Sequence, residues 1–284
     1  MPIDRKAIKK LSNSEYHRRC SVSKSHLDKV NQSPLHFWHH YLDPNRPEPE
    51  RTKAMILGSA FHTKILEPHL FDKEYYVEPD NAPKRPTFAQ LNAKKPSAQT
   101  LEAIEYWTSF DALLGKKTLL LRDDFFKLEQ MEQAVRKHKA ANLILSQKGK
   151  VEQSYEWTDE TTNERCRCRP DFHTDDHLLV VDLKTTEDAS PRGFQSSISK
   201  FRYHVQSNWY LRGVENSKQF VFIAVEKKPP YMIGVYKASI EMCAAGGRAA
   251  DKNLRLLSEC RKDDSWPGYS EAIEEIDLPK WNND

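Results

Sequence analysis

The chain has 284 residues, and its 44 Lys and Arg against 41 Asp and Glu leave a formal net charge of only +3. That length makes one large domain or two small ones with a sizeable core, and the near balance of charge excludes a chain that holds polyanions by bulk electrostatics, so any basic surface has to be local. No apolar run approaches the ~18 residues of a membrane span, and the five cysteines (Cys20, Cys166, Cys168, Cys243 and Cys260) stand at no framework spacing, as expected of free thiols in a reducing compartment.

Residues 1–20 are charged and unpatterned, and read as a loose arm or a poorly packed helix ahead of a single domain over 21–284. Their Lys and Arg precede no apolar core of the kind a secretory signal carries. Ser23–Val30 reads as a short helix with Leu27 and Val30 inward. Ser33-Pro34 sets a cap residue before proline at the first helical position and starts a second helix, stopped by Asp43-Pro44. His36, His39 and His40 lie at helical spacing on it. They read as exposed imidazoles among packing aromatics and not as a metal site. A Pro/Glu-rich loop over 46–51 leads to Ala54–Leu66, which has the apolar pattern of a largely buried helix. Gly58 and His62 are four apart there and share a face. The glycine admits close approach of another backbone or a nucleic acid. His62 either looks into a site or is a hydrogen-bonded core histidine. Residues 78–100, with several prolines and lysines, read as a long surface excursion. Helices follow over Leu101–Leu114 and Asp123–Leu145, the second capped by Asp123-Asp124.

Val151–Trp157 alternates and opens a sheet, with Glu152 near its start. Arg165–Phe172 reads as the next strand, Asp175-Asp176 as a turn, and Leu178–Val181 as a buried strand that runs into charged residues. Cys166 and Cys168 share one face of their strand, toward the core. Further on, Asp182 and Lys184 point the same way while Leu183 turns into the core. If the two strands are antiparallel neighbours, Asp171 reaches the side of Asp182, and two carboxylates and an ammonium converge at a strand end. Convergent carboxylates repel unless a cation lies between them, and such oxygen ligands suit Mg²⁺ or Mn²⁺. A cross-strand salt bridge on a surface hairpin is the bland alternative. Phe194–Val214 reads as one helix with Gln206 and Tyr210 on one face. Phe220–Val225 is an apolar strand, Lys227–Pro230 a turn and Tyr231–Tyr236 the partner strand. Ser239–Arg261 reads as a helix weakened at Gly246-Gly247. The tail, with Trp266, Ile276, Leu278, Pro279 and Trp281, reads as an extended arm packed back on the body. A helical first half before a strand-rich core describes one mixed α/β domain.

Gly58-x-x-x-His62, Glu152, Pro170-Asp171, Asp182-x-Lys184 and Gln206-x-x-x-Tyr210 stand in one order. That series resembles the motifs of RecB-type nucleases in the PD-(D/E)xK superfamily. The wording is closer still to RecE-type exonucleases, through Leu57–His62 with Leu66-Glu67-Pro68, Cys166–Asp171, Asp182–Thr186, Phe201–Gln206 and Asn253–Ser258, so the resemblance runs from about Ser21 to the C-terminus. It implies an α/β fold with the PD-(D/E)xK nuclease core, a mixed central sheet flanked by helices, behind a helical N-terminal half. It implies a metal-dependent exonuclease that degrades one strand of linear duplex DNA from 5′ to 3′ and leaves 3′ overhangs for recombination by strand annealing. Mg²⁺ as the metal, a homotetrameric ring, a RecT-like single-strand annealing protein as partner, and phage or prophage origin with residence in the bacterial cytoplasm go with it.

Chemistry and resemblance together place His62, Asp171, Asp182 and the Leu183 carbonyl on the metal, and Glu152 on a second metal, directly or through water. A histidine among the ligands makes Mn²⁺ a substitute. Lys184 positions or activates the water, Gln206 orients Lys184 or the scissile phosphate, and Tyr210 contacts the strand. Arg85, Arg165 and Lys227 are unranked candidates for holding a 5′-phosphate. Some RecB-type relatives carry an iron–sulfur cluster, but Cys20, Cys243 and Cys260 do not supply its cysteine set, so no cluster is expected. The rival expectations are an endonuclease or CRISPR-adaptation-type nuclease of the same fold, and an inactive nuclease fold that binds DNA ends or a partner.

Overall fold

Leu179–Thr186 is the strand around which the chain packs. Its alternation sends Val180 and Asp182 to one face and Val181 and Leu183 to the other, and all four are buried. In the computed structural model, which describes residues 5–8, 11–47 and 50–278, this strand is the middle one of five. The order is Ile233–Lys237, Gln219–Glu226, Leu179–Thr186, Phe172–Thr174, Gly149–Val151. Leu179–Thr186 and Gln219–Glu226 pair in parallel, and the other pairs are antiparallel. A parallel pair calls for cover on both faces. On one side Val180, Phe220 and Phe222 pack with Val205, Trp209, Leu254 and Leu27 from the helices Tyr203–Gly213, Ile240–Asp263 and Lys24–Gln32. On the other, Val181, Leu183 and Ile223 pack with Phe61, Leu128 and Met131 from Lys53–Leu66 and Arg122–Lys137. The mixed α/β architecture expected from the sequence is the one observed.

Two strands expected to be continuous are broken, and the breaks are what build the site. Val151–Trp157 divides at Glu152, which adopts φ 50°, into Gly149–Val151 and Tyr155–Thr158. Arg165–Phe172 divides at Arg169–Asp171 into Arg165–Cys168 and Phe172–Thr174, where Pro170 has no N–H to offer a ladder. The breaks stand opposite each other, joined by the Glu152 N–H donating to the Asp171 carbonyl at 3.1 Å. Beyond them the outer halves form a separate sheet, Lys6–Ala7, Tyr155–Thr158 and Arg165–Cys168. Cys166 and Cys168 both lie in the core, and all five thiols are free.

Other expectations need correction. The stretch 194–214 is two helices, Pro191–Lys200 and Tyr203–Gly213, separated at Arg202, whose φ of 54° is left-handed. Asp123–Leu145 is also two, Arg122–Lys137 and Lys139–Leu145, and His138 caps the second by accepting the Ala141 N–H at 3.2 Å. Asp123 and Asp124 lie in the first turn and do not cap. The described part of 1–20 is no loose arm. Lys6–Ala7 extends the second sheet, and Asn13–His17 is a helix with a Ser12–Glu15 capping box and a buried Tyr16. The excursion over 78–100 does run over the surface, though it contains the helix Phe88–Leu91 and is pinned where Trp107 donates to the Pro83 carbonyl at 2.8 Å. In the tail, Trp266 stacks on Phe37, whereas Ile276 and Leu278 are exposed. Pro279 and Trp281 lie outside the described residues.

Gly246-Gly247 is a contact and not a weak point. The helix Ile240–Asp263 runs through it unbroken, and a Cβ on Gly246 would stand 1.8 Å from the His204 carbonyl oxygen. Two helix backbones touch there, which only glycine permits. Gly246→Ala is expected to destabilise the protein by about 1–3 kcal/mol, despite the better helix propensity of alanine. Urea denaturation checks this, and unchanged or raised stability would show that the helices can part at no cost.

Candidate active site

The central strand delivers Asp182 and Lys184 to one face, with Lys184 Nζ 2.5 Å from Asp182 Oδ2. Gln206, on the first helical turn after Arg202, donates from Nε2 to Asp182 Oδ1 at 2.5 Å. The Asp182 side chain is fully buried. Its Oδ2 faces the Lys184 ammonium. Asp171 comes from the strand break beside it. Its Oδ2 accepts the Leu183 N–H at 2.6 Å and lies 3.5 Å from Nδ1 of His62. His62 arrives from the opposite layer, on Lys53–Leu66. Glu152 enters from the other break, 2.8 Å from Arg169 Nε. His62, Glu152 and Asp171 each offer a ligand atom within 4.8 Å of the other two.

The charges are tightly interdependent. Burial raises Asp182, and the nearby Asp171 charge raises it further, so that even with Lys184 opposing it stands at about 6. Burial raises Asp171 too, but His62, Lys184 and the Leu183 N–H outweigh it and hold this carboxyl below the usual range. Burial and the Asp171 charge push Glu152 up to about 7. Burial lowers His62, yet Asp171 and Glu152 together overcome it and set the imidazole at about 9. Lys184 is likewise lowered by burial and raised to about 12 by Asp182 and Asp171. An imidazolium and an ammonium thus balance carboxylates that could not share the space alone.

The site opens on a cleft of about 910 Å³ whose lining includes Gly58, His62, Glu152, Asp171, Lys184, Gln206 and Tyr210. Six of the residues read from the sequence therefore line one cavity with Gly58, and Asp182 lies beneath it. A Cβ on Gly58 would meet only Thr185 Oγ1 at 3.7 Å, so the protein's own packing does not require glycine there. Gln206 holds Asp182 and not Lys184. Glu152, assigned to a second metal, groups with His62 and Asp171, whereas Asp182 stands outside that group. Arg85, Arg165 and Lys227 are not in the lining and pair instead with Asp111, Glu156 and Glu187. The basic lining consists of Lys24, Arg51, Lys73, Lys116, Arg169 and Lys184. Arg169 is the residue the sequence reading passed over. Besides Glu152 it reaches Asn13 Oδ1 at 2.7 Å and stacks 4.3 Å from the Tyr16 ring centroid. Its place next to Pro170-Asp171 was the available signal.

Residues 23–279 match the family model described as a PDDEXK-like domain of unknown function, DUF3799. The chain belongs to this PDDEXK-like family. The crystal structure of a presumed exonuclease from Eubacterium rectale is similar with a TM-score of 0.61 at 14% identity, over 90% of this chain and 88% of that one. A phage-related exonuclease from Haemophilus somnus 129PT aligns at 15% identity over 65% of this chain and 92% of that one, with a TM-score of 0.34. The first of these shows a shared fold; the second is too slight to carry an argument. No curated protein matches the sequence. The fold is thus that of the PD-(D/E)xK nucleases.

The donor set of this PDDEXK-like site fits a small divalent cation: two carboxylates and an imidazole converge, with ligand atoms within 4.8 Å of one another. A cation there has to displace the proton from His62, held at about 9, and the fraction carried by Glu152, held at about 7. Affinity for Mn²⁺ is therefore expected to strengthen as pH rises from about 6 toward 9, with protons released on binding. Titration calorimetry in buffers of different ionisation enthalpy measures both. A pH-independent affinity without proton release would place the cation elsewhere.

Proposed function

We propose that the protein is a metal-dependent nuclease acting on DNA and, within that class, a RecE-type exonuclease that digests one strand of linear duplex DNA from 5′ to 3′. The observation that carries the nuclease reading is the convergence of His62, Glu152 and Asp171 beside the Asp182–Lys184 pair in one cleft. An inactive nuclease fold that only binds DNA would have no use for the complete set. The exonuclease polarity, Mg²⁺ as the metal, the ring-shaped tetramer, the RecT-like partner and a phage source living in a bacterial cytoplasm rest on the sequence resemblance.

His62, Asp171 and Glu152, with Asp182 or the Leu183 carbonyl, are the residues that would hold the cation, whose chemistry is to polarise the phosphoryl oxygens and lower the pKa of water. Lys184 stays protonated, because Asp182 and Asp171 raise it to about 12. In the metal-free site it is placed to orient the attacking water and to offset phosphate charge. Gln206 fixes the Asp182 carboxylate through Oδ1, leaving Oδ2 to Lys184. Arg169 fixes Glu152. Lys24, Arg51, Lys73 and Lys116 give the cleft walls the local cationic surface that phosphate contacts require. Tyr210 is half-buried in the lining and packs on the core behind it, so it contacts the strand from the floor of the cleft.

Asp182→Asn keeps the shape of the side chain and removes its charge. It is expected to lower digestion of linear duplex DNA by at least about 10²-fold, with thermal stability close to wild type. Gel assays on end-labelled duplex read the loss and the polarity, and a covalently closed circle should survive the wild-type enzyme. Equal loss of circle and linear DNA would favour an endonuclease.

A further inference from the structure

The break between Pro191–Lys200 and Tyr203–Gly213 exposes aromatic surface beside the catalytic lysine. Phe201 is 48% exposed, and its ring stacks on Tyr203 at 5.6 Å with the planes 28° apart. Cations flank the pair. Lys200 Nζ stands 5.4 Å from the Phe201 centroid, Lys184 Nζ 4.9 Å from that of Tyr203, and Lys24 Nζ 5.8 Å from the same ring. Tyr203 lines the cleft, so the series runs from the cleft rim to Lys184. The arrangement is held in place. Arg202 takes the left-handed conformation and donates to the Leu27 carbonyl, Asp28 and Asn253, while Lys24 donates to the Phe201 carbonyl at 2.6 Å. A non-glycine residue in that conformation persists where surroundings over-determine it. Here the result is an apolar ring turned to water, which core packing does not explain.

We infer that the Phe201–Tyr203 stack is a platform for an unpaired base of the nucleic-acid strand whose phosphate lies at Lys184. Alternating aromatic faces and lysines match the two repeating parts of a single strand, bases that stack on any π-face and phosphates that seek cations. A base seated on Phe201 would hold the strand frayed at the cleft mouth and keep the next phosphodiester from drifting. The inference rests on the nuclease reading of the cleft, which supplies the strand, but it concerns binding and is tested without turnover.

The experiment is fluorescence anisotropy of a labelled single-stranded oligonucleotide in EDTA, with wild type, Phe201→Ala and Phe201→Trp. A parallel series carries 2-aminopurine at successive positions from the end. Phe201→Ala is expected to weaken single-strand binding about tenfold, and Phe201→Trp to retain it. One 2-aminopurine position should be quenched by wild type and Phe201→Trp but not by Phe201→Ala. Equal affinity and equal quenching in all three proteins would overturn the platform, leaving the exposed ring to a protein contact. Cleavage of duplex DNA, measured separately with metal, keeps the two readings apart: an active enzyme with no Phe201-dependent quenching sinks the platform alone, whereas neither DNA binding nor cleavage sinks both.

Discussion

Burying the Asp182 carboxylate next to Asp171 is the constraint on which the rest of this structure depends. An ion of that size costs several kcal/mol to desolvate, and a like charge beside it adds to the cost. The fold meets this with groups drawn from different layers. Lys184 comes from the same strand, Gln206 from a helix on one side of the sheet, and His62 from a helix on the other. Glu152, the third carboxylate, is matched by Arg169. Each compensating group holds its neighbours in place by the same contacts that offset their charge, so the site is ordered before any substrate arrives.

The paired strand breaks explain why these groups meet at a cleft. Had Gly149–Thr158 and Arg165–Thr174 continued as straight strands, Glu152 and Asp171 would have been ladder residues with their carbonyls and N–H groups paired along their length. Instead the chain leaves one sheet for another at this level, and a single backbone hydrogen bond from Glu152 to Asp171 bridges the gap. Side chains that would have alternated up and down are re-aimed toward one point, as at bulges next to active sites. The N-terminal helix Asn13–His17 closes the same region from outside. Arg169 joins it to Glu152, with the guanidinium between Tyr16, Asn13 and the carboxylate.

The helix-side elements obey the same economy. The unbroken helix Ile240–Asp263 brings Gly246 against the His204 carbonyl, and that close approach fixes where Tyr203–Gly213 lies relative to the sheet. Gln206 is thereby set at hydrogen-bonding distance from Asp182, and Trp209 from the same helix donates to the Arg167 carbonyl at 2.9 Å, tying the helix to the second sheet. A displaced helix would leave Asp182 with Lys184 alone.

What a single element's period can specify was legible in the sequence. The two-residue repeat of a strand placed Asp182 and Lys184 on one side and Leu183 on the other, the four-residue repeat of a helix put His62 beside Gly58, and the order of motifs pointed to the PD-(D/E)xK core. Tertiary structure alone decided the breaks at Glu152, His138 and Arg202, because hydrophobic periodicity passes through them and only long-range partners make the departure favourable, whereas at Arg169–Asp171 Pro170 was a local signal. It also decided which group each side chain meets: Gln206 with Asp182, Glu152 with His62 and Asp171, and Arg169 with Glu152. Those pairings join residues from separate strands and helices, and no local pattern encodes a distance between elements that touch only once the sheet and its two layers have assembled.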